Sequence, residues 1–340
     1  NVPLERVKQI AAEGRATESS GRRVAIIGAG PAGLTAAFDL IRRGHEGTVY
    51  EAQSGPGGMT RYGIPYYRLP ADMLEHDIDV ITSLGVTIEY NTRIGHDITL
   101  EQLGQDFDAV ALAVGLWVGR STRVKGADGK QVYRAVDLLR DVAAGKQIKV
   151  PKQAVVVGGG NVAMDIARTL GRLQRQKYGE LDITLTALED LEHFLADKEE
   201  IEEAGEEGIR IHDARGPQEV VQKRGTVAGL RTWKVMSIFD EKGRFAPKYD
   251  ETDEQIYPAD MVIEAIGQSA DVSLLGDKLT EELEWTRGRL TVDDQFRTSL
   301  RWLWAAGDMV HGPDVVTAVA DGHKVAESIH AYLSIREQTA

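Results

Sequence analysis

The sequence predicts an α/β fold of two Rossmann-like dinucleotide-binding domains, the second inserted into the first. Three observations predict it. A short apolar strand runs into a glycine-rich turn and then a helix at residues 23–43. The same order returns about 130 residues later, at 153–173. Strand-like segments ending in glycine follow both copies, and the last lies close to the C-terminus. A chain of 340 residues has the length for two domains.

Each element follows from its pattern. Residues 2–14 read as a short helix and 15–21 as a linker. Arg23-Val24-Ala25-Ile26-Ile27 is nearly all apolar, as a parallel strand buried on both faces must be. Residues 34–43 show helical spacing that Gly44 ends, and 48–51 form the next strand. In the second copy, 153–157 is the buried strand, 164–173 the helix and 182–187 the following strand. Residues 108–115, 260–267 and 302–308 read as strands running into glycine turns, and 315–333 as a closing helix. The acid-rich run 189–207 reads as a solvated helix face. Trp302 and Trp304 flank an apolar strand and are expected to pack in a core or interface. The domain boundaries expected are 1–20 for the leading helix and linker, 21–122 with 268–340 for the first domain, and 123–267 for the second.

Composition excludes several classes. There is no cysteine, so the residues present form no disulfide, redox dithiol or thiolate metal site. The eight histidines show no metal-ligand spacing, and no metal site is expected. No nucleophile elbow is present. A net charge of −13 opposes binding to nucleic acid or anionic membrane. No apolar run reaches the roughly 18 residues of a membrane span. Residues 1–20 carry charges throughout and hold no signal-peptide core, so a soluble, cytoplasmic chain is expected.

The turns carry the chemistry. In Gly28-Ala29-Gly30-Pro31-Ala32-Gly33, Gly28 permits the tight turn, Gly30 lets backbone approach a pyrophosphate, and Gly33 lets helix pack on strand. The helix N-terminus offers free N–H groups to the phosphates. An acid is expected about 20 residues on, to take ribose hydroxyls, and Glu51 stands there. The second turn, with Gly158, Gly160 and Ala163, is the G-x-G-x-x-A form. Its following strand runs to Leu188-Glu189-Asp190, with no Arg or Lys between Tyr178 and Ala196. A carboxylate accepts from a ribose 2′-OH and repels a 2′-phosphate, which favours NAD(H) over NADP(H). A basic residue from elsewhere, such as Lys198 or Arg224, would reverse that preference.

These motifs resemble the glutamate synthase small-subunit family, flavoproteins with two dinucleotide sites related to thioredoxin reductase. The resemblance is carried by Val24 to Met59 with Glu51 and Gly55-Pro56-Gly57-Gly58-Met59, by Tyr62-Gly63-Ile64-Pro65, and by Val157 to Asp165. It continues through Ala265-Ile266-Gly267-Gln268 and Ala306-Gly307-Asp308 to Thr317, so it spans about Val2 to Leu333. It implies that Gly28, Gly30, Pro31, Ala32, Gly33, Glu51 and Ala52 hold the ADP part of FAD. Met59 and Ile64 would border the flavin, with plain core packing an equal alternative, and Gly58 and Gly115 are further cofactor-binding candidates. Gly307 and Asp308 would meet the ribityl–pyrophosphate region, and Val316 and Thr317 the pyrimidine end. Gly158, Gly160, Asn161, Val162, Ala163 and Glu189 would hold the nicotinamide dinucleotide, and Gly267 of the closing signature is a further cofactor-binding candidate. Family members commonly carry an N-terminal cysteine-rich region with iron–sulfur clusters, and this chain starts close to where that region would end. Where NADPH-using members carry a basic pair, it has Glu189-Asp190.

The implied activity is electron transfer between NAD(H) and an external iron–sulfur protein or larger oxidoreductase subunit, by hydride transfer at FAD. No catalytic side chain is assigned. A self-contained NAD(P)H:acceptor reductase with a quinone or small-molecule acceptor is the alternative, and a cofactor-bound assembly module is another.

Overall fold

The computed structural model describes residues 3–338, with side chains to residue 335. Val2, which the sequence places in the leading helix, lies outside the described residues, as does Asn1. The chain forms two compact units. One runs to Trp117 and resumes at Ser269, and the other is the continuous stretch Val118–Gln268.

The first unit begins with α1 (Leu4–Ala12), β1 (Arg23–Ile27), α2 (Pro31–Arg42), β2 (Glu46–Tyr50), α3 (Met59–Tyr62), α4 (Ala71–Thr82), β3 (Thr87–Glu89) and β4 (Ala109–Leu112). The second holds β5 (Val132–Arg134), α5 (Ala135–Ala143), β6 (Ala154–Val157), α6 (Asn161–Tyr178), β7 (Ile183–Thr186), α7 (Lys198–Glu206) and β8 (Arg210–His212). It continues with β9 (Arg215–Lys223), β10 (Thr226–Phe239), β11 (Phe245–Pro258) and β12 (Met261–Glu264). The first unit is completed by β13 (Leu303–Ala305) and α8 (Val315–Gln338).

Each unit is built on a five-stranded parallel sheet. The first has the order β13-β4-β1-β2-β3 and the second β5-β12-β6-β7-β8. In both, the strand before the glycine turn is central. Side chains on a strand alternate between faces, and here both faces are buried. Val24 and Ile26 of β1 enter the core beneath α2 and α8, while Ala25 and Ile27 enter a second core with Val110 and Leu112. Ala154 and Val156 of β6 likewise pack under α6, and Val155 and Val157 face the other way.

That other face of the second unit is not covered by helices alone. Val220, Val227, Leu230 and Tyr257 come to it from β9, β10 and β11, an antiparallel sheet with 14-residue second and third strands. The sequence reading does not contain this sheet. Trp304 is fully buried, its Nε1 donating to Ser328 Oγ at 2.9 Å, which places it in the core. Among the described residues no helix is long and apolar enough to cross a membrane.

The acidic run departs from its expected role. Arg168 of α6 is 4% exposed and pairs with Glu200 (2.8 Å), Glu203 (2.7 Å) and Glu207 (2.9 Å), so part of the run packs inward rather than facing only solvent. The cation arrives from a helix some thirty residues earlier, where no local charge pattern announces it. Arg168→Met takes the buried cation away from buried Glu200, while Glu207 keeps Arg172, and is expected to destabilise the protein by about 2–4 kcal/mol. A urea unfolding midpoint that moves by less than about 0.5 kcal/mol equivalent would count against this network as a stabilising element.

Candidate functional site

The site begins where β1 ends. Gly28 N–H donates to Tyr50 O and Ala113 N–H to Ile27 O, both at 2.8 Å, so the carboxyl ends of β2, β1 and β4 are in register. Gly28 has φ +104°, and a Cβ there would lie 2.4 Å from Ala113 O. A Cβ at Gly33 would lie 2.0 Å from Gly28 O. Those two glycines let the turn close. Gly30 differs, because the nearest atom to a Cβ there is Gly58 Cα at 3.8 Å. Gly30 also stands at the N-cap of α2, with Pro31 at the first position. The N–H groups of Ala32 and Gly33 therefore have no intrahelical acceptor and face an open mouth. Gly58 (φ +56°) closes on Gly30, where its own Cβ would fall 2.8 Å from Gly30 Cα.

Glu51 follows β2 and is 5% exposed. Its Oε2 accepts from Ala29 N–H at 2.8 Å and its Oε1 from Gln53 N–H at 2.7 Å. Burial raises its pKa, opposed by those N–H bonds and by Arg93. Each oxygen keeps lone-pair capacity, so a pair of ribose hydroxyls fits this carboxylate.

The far edge of the same unit is supplied by the segment after β13. Gly307 (φ +73°) precedes Asp308, which is half-buried and accepts from Asp314 N–H. Burial pushes the Asp308 carboxyl up to about 6, with Asp314 and Asp321 adding to the rise and Arg289 opposing it. Asp314 caps α8, its Oδ2 accepting from Thr317 N–H (2.7 Å) and Thr317 Oγ1 (2.5 Å). Val316 is 76% exposed on the same turn.

The second unit repeats the turn. Gly158 N–H donates to Thr186 O and Ala265 N–H to Val157 O, each at 2.8 Å. A Cβ at Gly158 (φ +145°) would lie 2.3 Å from Ala265 O, whereas one at Gly160 would meet nothing within 4 Å. Ala163 is fully buried, as the third small residue must be. The segment after β7 folds back over this turn. Ala196 N–H donates to Gly159 O at 3.0 Å. Asn161 Nδ2 donates to Asp197 Oδ2 (2.9 Å), and Asp197 N–H donates to Asn161 Oδ1 (2.8 Å). Glu189 Oε2 stands 3.2 Å from the place a Gly159 Cβ would take, so its carboxylate leans over the turn. Exposed Asp190 pairs with His193 at 2.6 Å, which lowers the carboxyl and raises the imidazole.

Of the sequence-marked residues, the structure brings Gly28, Gly30, Gly33, Glu51, Gly58 and Gly307 together at the first turn, and Gly158, Gly160, Ala163 and Glu189 at the second. Met59 and Ile64 are half-buried and belong to neither core, which weighs against plain core packing. Ala52 and Gly267 are exposed, and Gly115 (φ +67°) and Gly267 (φ +94°) stand where left-handed backbone favours glycine. Sequence reasoning missed Arg289, His311, Asp314 and Asp321 at the first turn, and the Asn161–Asp197 clip at the second. Of these only Asp314 carried a local signal, an N-cap acid before an apolar helix.

Comparison with known proteins gives the family. Residues 22–322 match the family described as pyridine nucleotide-disulphide oxidoreductase. The chain is 39% identical to the NADP(+)-dependent formate dehydrogenase subunit beta of Moorella thermoacetica, over 97% of this chain and 46% of that protein. It is 33% identical to the Escherichia coli glutamate synthase [NADPH] small chain, over 94% of this chain and 70% of that one. It spans about half the length of the formate dehydrogenase subunit. Mycobacterium tuberculosis FprA in complex with NADPH shares the fold, with a TM-score of 0.79 at 17% identity over 94% of this chain and 86% of that one. The chain belongs to the pyridine nucleotide-disulphide oxidoreductase family and, within it, to the glutamate synthase small-chain group, oxidoreductases that use FAD and a pyridine nucleotide.

Asp308 makes this site costly to keep. Its folded pKa lies above the ordinary 3.8, so its ionisation penalises the folded state. The stability it contributes is complete below the ordinary value and is lost as pH rises through about 6. Asp308→Asn removes the penalty. FAD-free Asp308→Asn protein is expected to exceed the wild type by about 1–2 kcal/mol near neutral pH, after discounting for solvent screening. That gain should vanish near pH 4 in urea titrations, and an equal difference at both pH values would refute it.

Proposed function

We propose that this chain, as a member of the pyridine nucleotide-disulphide oxidoreductase family, holds FAD on its first unit and NAD(H) on its second, and moves electrons between NAD(H) and an external iron–sulfur protein or subunit. Glu51 carries most of the weight: a buried carboxylate, fixed by two N–H groups beside a mouth that Gly30 keeps open. In this reading Gly28, Gly30, Pro31, Ala32 and Gly33 receive the pyrophosphate, and Glu51 with Ala52 the adenosine ribose. Gly58, Met59, Ile64 and Gly115 border the flavin, and Gly307, Asp308, Val316 and Thr317 its ribityl and pyrimidine end. The FAD domain is then 21–122 with 268–340, and the NAD(H) domain 123–267.

Bound FAD supplies hydride acceptance and release of electrons one at a time. The protein binds, orients and shields, and no side chain is assigned as acid or base. At the second turn Gly158, Gly160, Asn161, Val162, Ala163 and Gly267 take the dinucleotide. Glu189 accepts from the ribose 2′-OH and repels a 2′-phosphate. Both relatives named above carry NADP in their names. The preference for NAD(H) here is supported by Glu189-Asp190, which stand where the family resemblance puts a basic pair in NADPH users. With no cysteine among its residues, the chain supplies no thiolate cluster ligands. The relatives' names are those of a subunit and a small chain, which supports a partner that carries the clusters. A cytoplasmic setting belongs to the same reading.

A second reading, direct reduction of a quinone-like acceptor, is favoured by one observation. A cleft of about 740 Å³ opens beside the first turn, lined by Pro31, Thr60, Met73, Ile78, Val315 and Val319 among others. Its size suits a small apolar ligand.

Anaerobic titration of the FAD-loaded chain should bleach the flavin with NADH at concentrations about tenfold or more below those needed with NADPH. Glu189→Arg should narrow or invert that ratio, and an unchanged ratio would remove Glu189 from cofactor selection. A further assay separates the two acceptor readings. Turnover with NADH should rise at least about tenfold when a ferredoxin-type protein is added. Fast turnover with quinones and no gain from any cluster protein would replace the first reading with the second.

A further inference from the structure

The segment between Gly307 and α8 holds more charge than the site described above uses. Asp321 of α8 is 3% exposed. One of its oxygens, Oδ2, accepts from Gly307 N–H at 3.0 Å and also meets His311 Nδ1 at 2.8 Å. It therefore ties the backbone just before Asp308 to an imidazole three residues beyond it. We propose that His311 and Asp321 form a positioning pair for the turn that carries Asp308, and that the positive charge of protonated His311 tightens FAD binding there, given FAD on the first unit as proposed above.

A buried carboxylate needs a compensating charge or several donors. Asp321 has one backbone N–H and one imidazole. The His311 side chain is 45% exposed, and its ring is set edge-on against Phe296 at 5.3 Å. Asp308 and Asp314 lie in the same segment, and Asp321 and Lys324 on α8, with Lys324 Nζ 5.6 Å over the Phe296 ring. Arg289 packs on Gly312, where a Cβ would fall 2.6 Å from Nη2. Among the described residues, this segment and α8 thus bring three carboxylates together with Arg289, Lys324 and His311. FAD adds a pyrophosphate dianion, so losing the imidazolium charge leaves the site more negative and weakens an anionic ligand.

A neutral imidazole with its proton on Nδ1 still donates to Asp321, so charge and hydrogen bond are separable. His311→Gln keeps a donor without the charge, and His311→Arg keeps a charge at all pH values. The measurement is the FAD dissociation constant of the purified full chain at about pH 6 and about pH 8.5, which brackets histidine titration. The flavin reduction potential is read alongside. The wild type should lose about fivefold more affinity over that range than His311→Arg, the scale of one partly screened charge pair. His311→Gln should be weak at both pH values. The potential should follow the same order, becoming more negative as the imidazolium is lost. Asp308 is present in all three proteins, so the comparison reads what the group at position 311 adds, including its coupling to Asp308. Identical pH dependence in the wild type and His311→Gln overturns the proposal, and this pair alone decides if His311→Arg does not fold by circular dichroism. Failure of all three proteins to bind FAD would overturn the assignment of FAD to the first unit, a result distinct from bound FAD that is indifferent to His311.

Discussion

A missing Cβ governs both units. The strand next to the glycine turn ends with a carbonyl, Ala113 O in the first unit and Ala265 O in the second. It sits where the side chain of Gly28 or Gly158 would start, at 2.4 and 2.3 Å from the Cβ position. Any side chain there would push β4 from β1, or β12 from β6. The hydrogen bonds that keep the carboxyl ends level are those same neighbours' N–H groups. The helix that follows owes its position to this close approach, and its unsatisfied N–H groups owe theirs to the helix. Two sequences with few residues in common thus reach one geometry, because the constraint is steric and falls on one atom.

Electrostatics separates what sterics made alike. The first unit holds a buried acid, Glu51, and a half-buried one, Asp308, both pushed up by burial. The second presents a less enclosed acid, Glu189, beside the exposed Asp190–His193 pair. Buried carboxylates held by N–H groups select hydroxyl donors, and they destabilise the protein that carries them. Strain of this kind gathers at binding sites rather than in cores. The partly exposed acid at the second turn keeps more contact with water and carries less desolvation cost.

How much was legible follows from the range of each interaction. β1, its turn and α2 were legible because all their determinants lie within about thirty residues. Helix ends were less so: α6 runs from Asn161 to Tyr178, beyond the 164–173 read from apolar spacing, because its last turns are polar. β10 and β11 escaped because bulges between Trp233 and Lys234 and beyond break the two-residue alternation that marks a strand. Arg168 was invisible as a partner to Glu200, since nothing local distinguishes it from any helix arginine. Glu51 and Asp308 were found through motif order, whereas Asp321 and His311 belong to no motif and meet only when α8 packs.

That packing explains why the first unit tolerates an insertion of some 150 residues. A Cβ at Gly322 would lie 2.5 Å from Ala32 O, so α8 lies directly on the start of α2. The adjoining residue, Asp321, reaches to Gly307. β13 meanwhile joins the sheet beside β4, Trp304 opposite Ala111. The helix that opens the first mouth and the helix that closes its far edge are therefore one packed pair, although some 280 residues separate their starts. Loop-closure entropy grows only logarithmically with length, so the long excursion costs little more than a short one. The contacts that rejoin the two pieces also set Gly307 against Ala32 of the glycine turn, so the return of the chain and the closing of that mouth are one packing event.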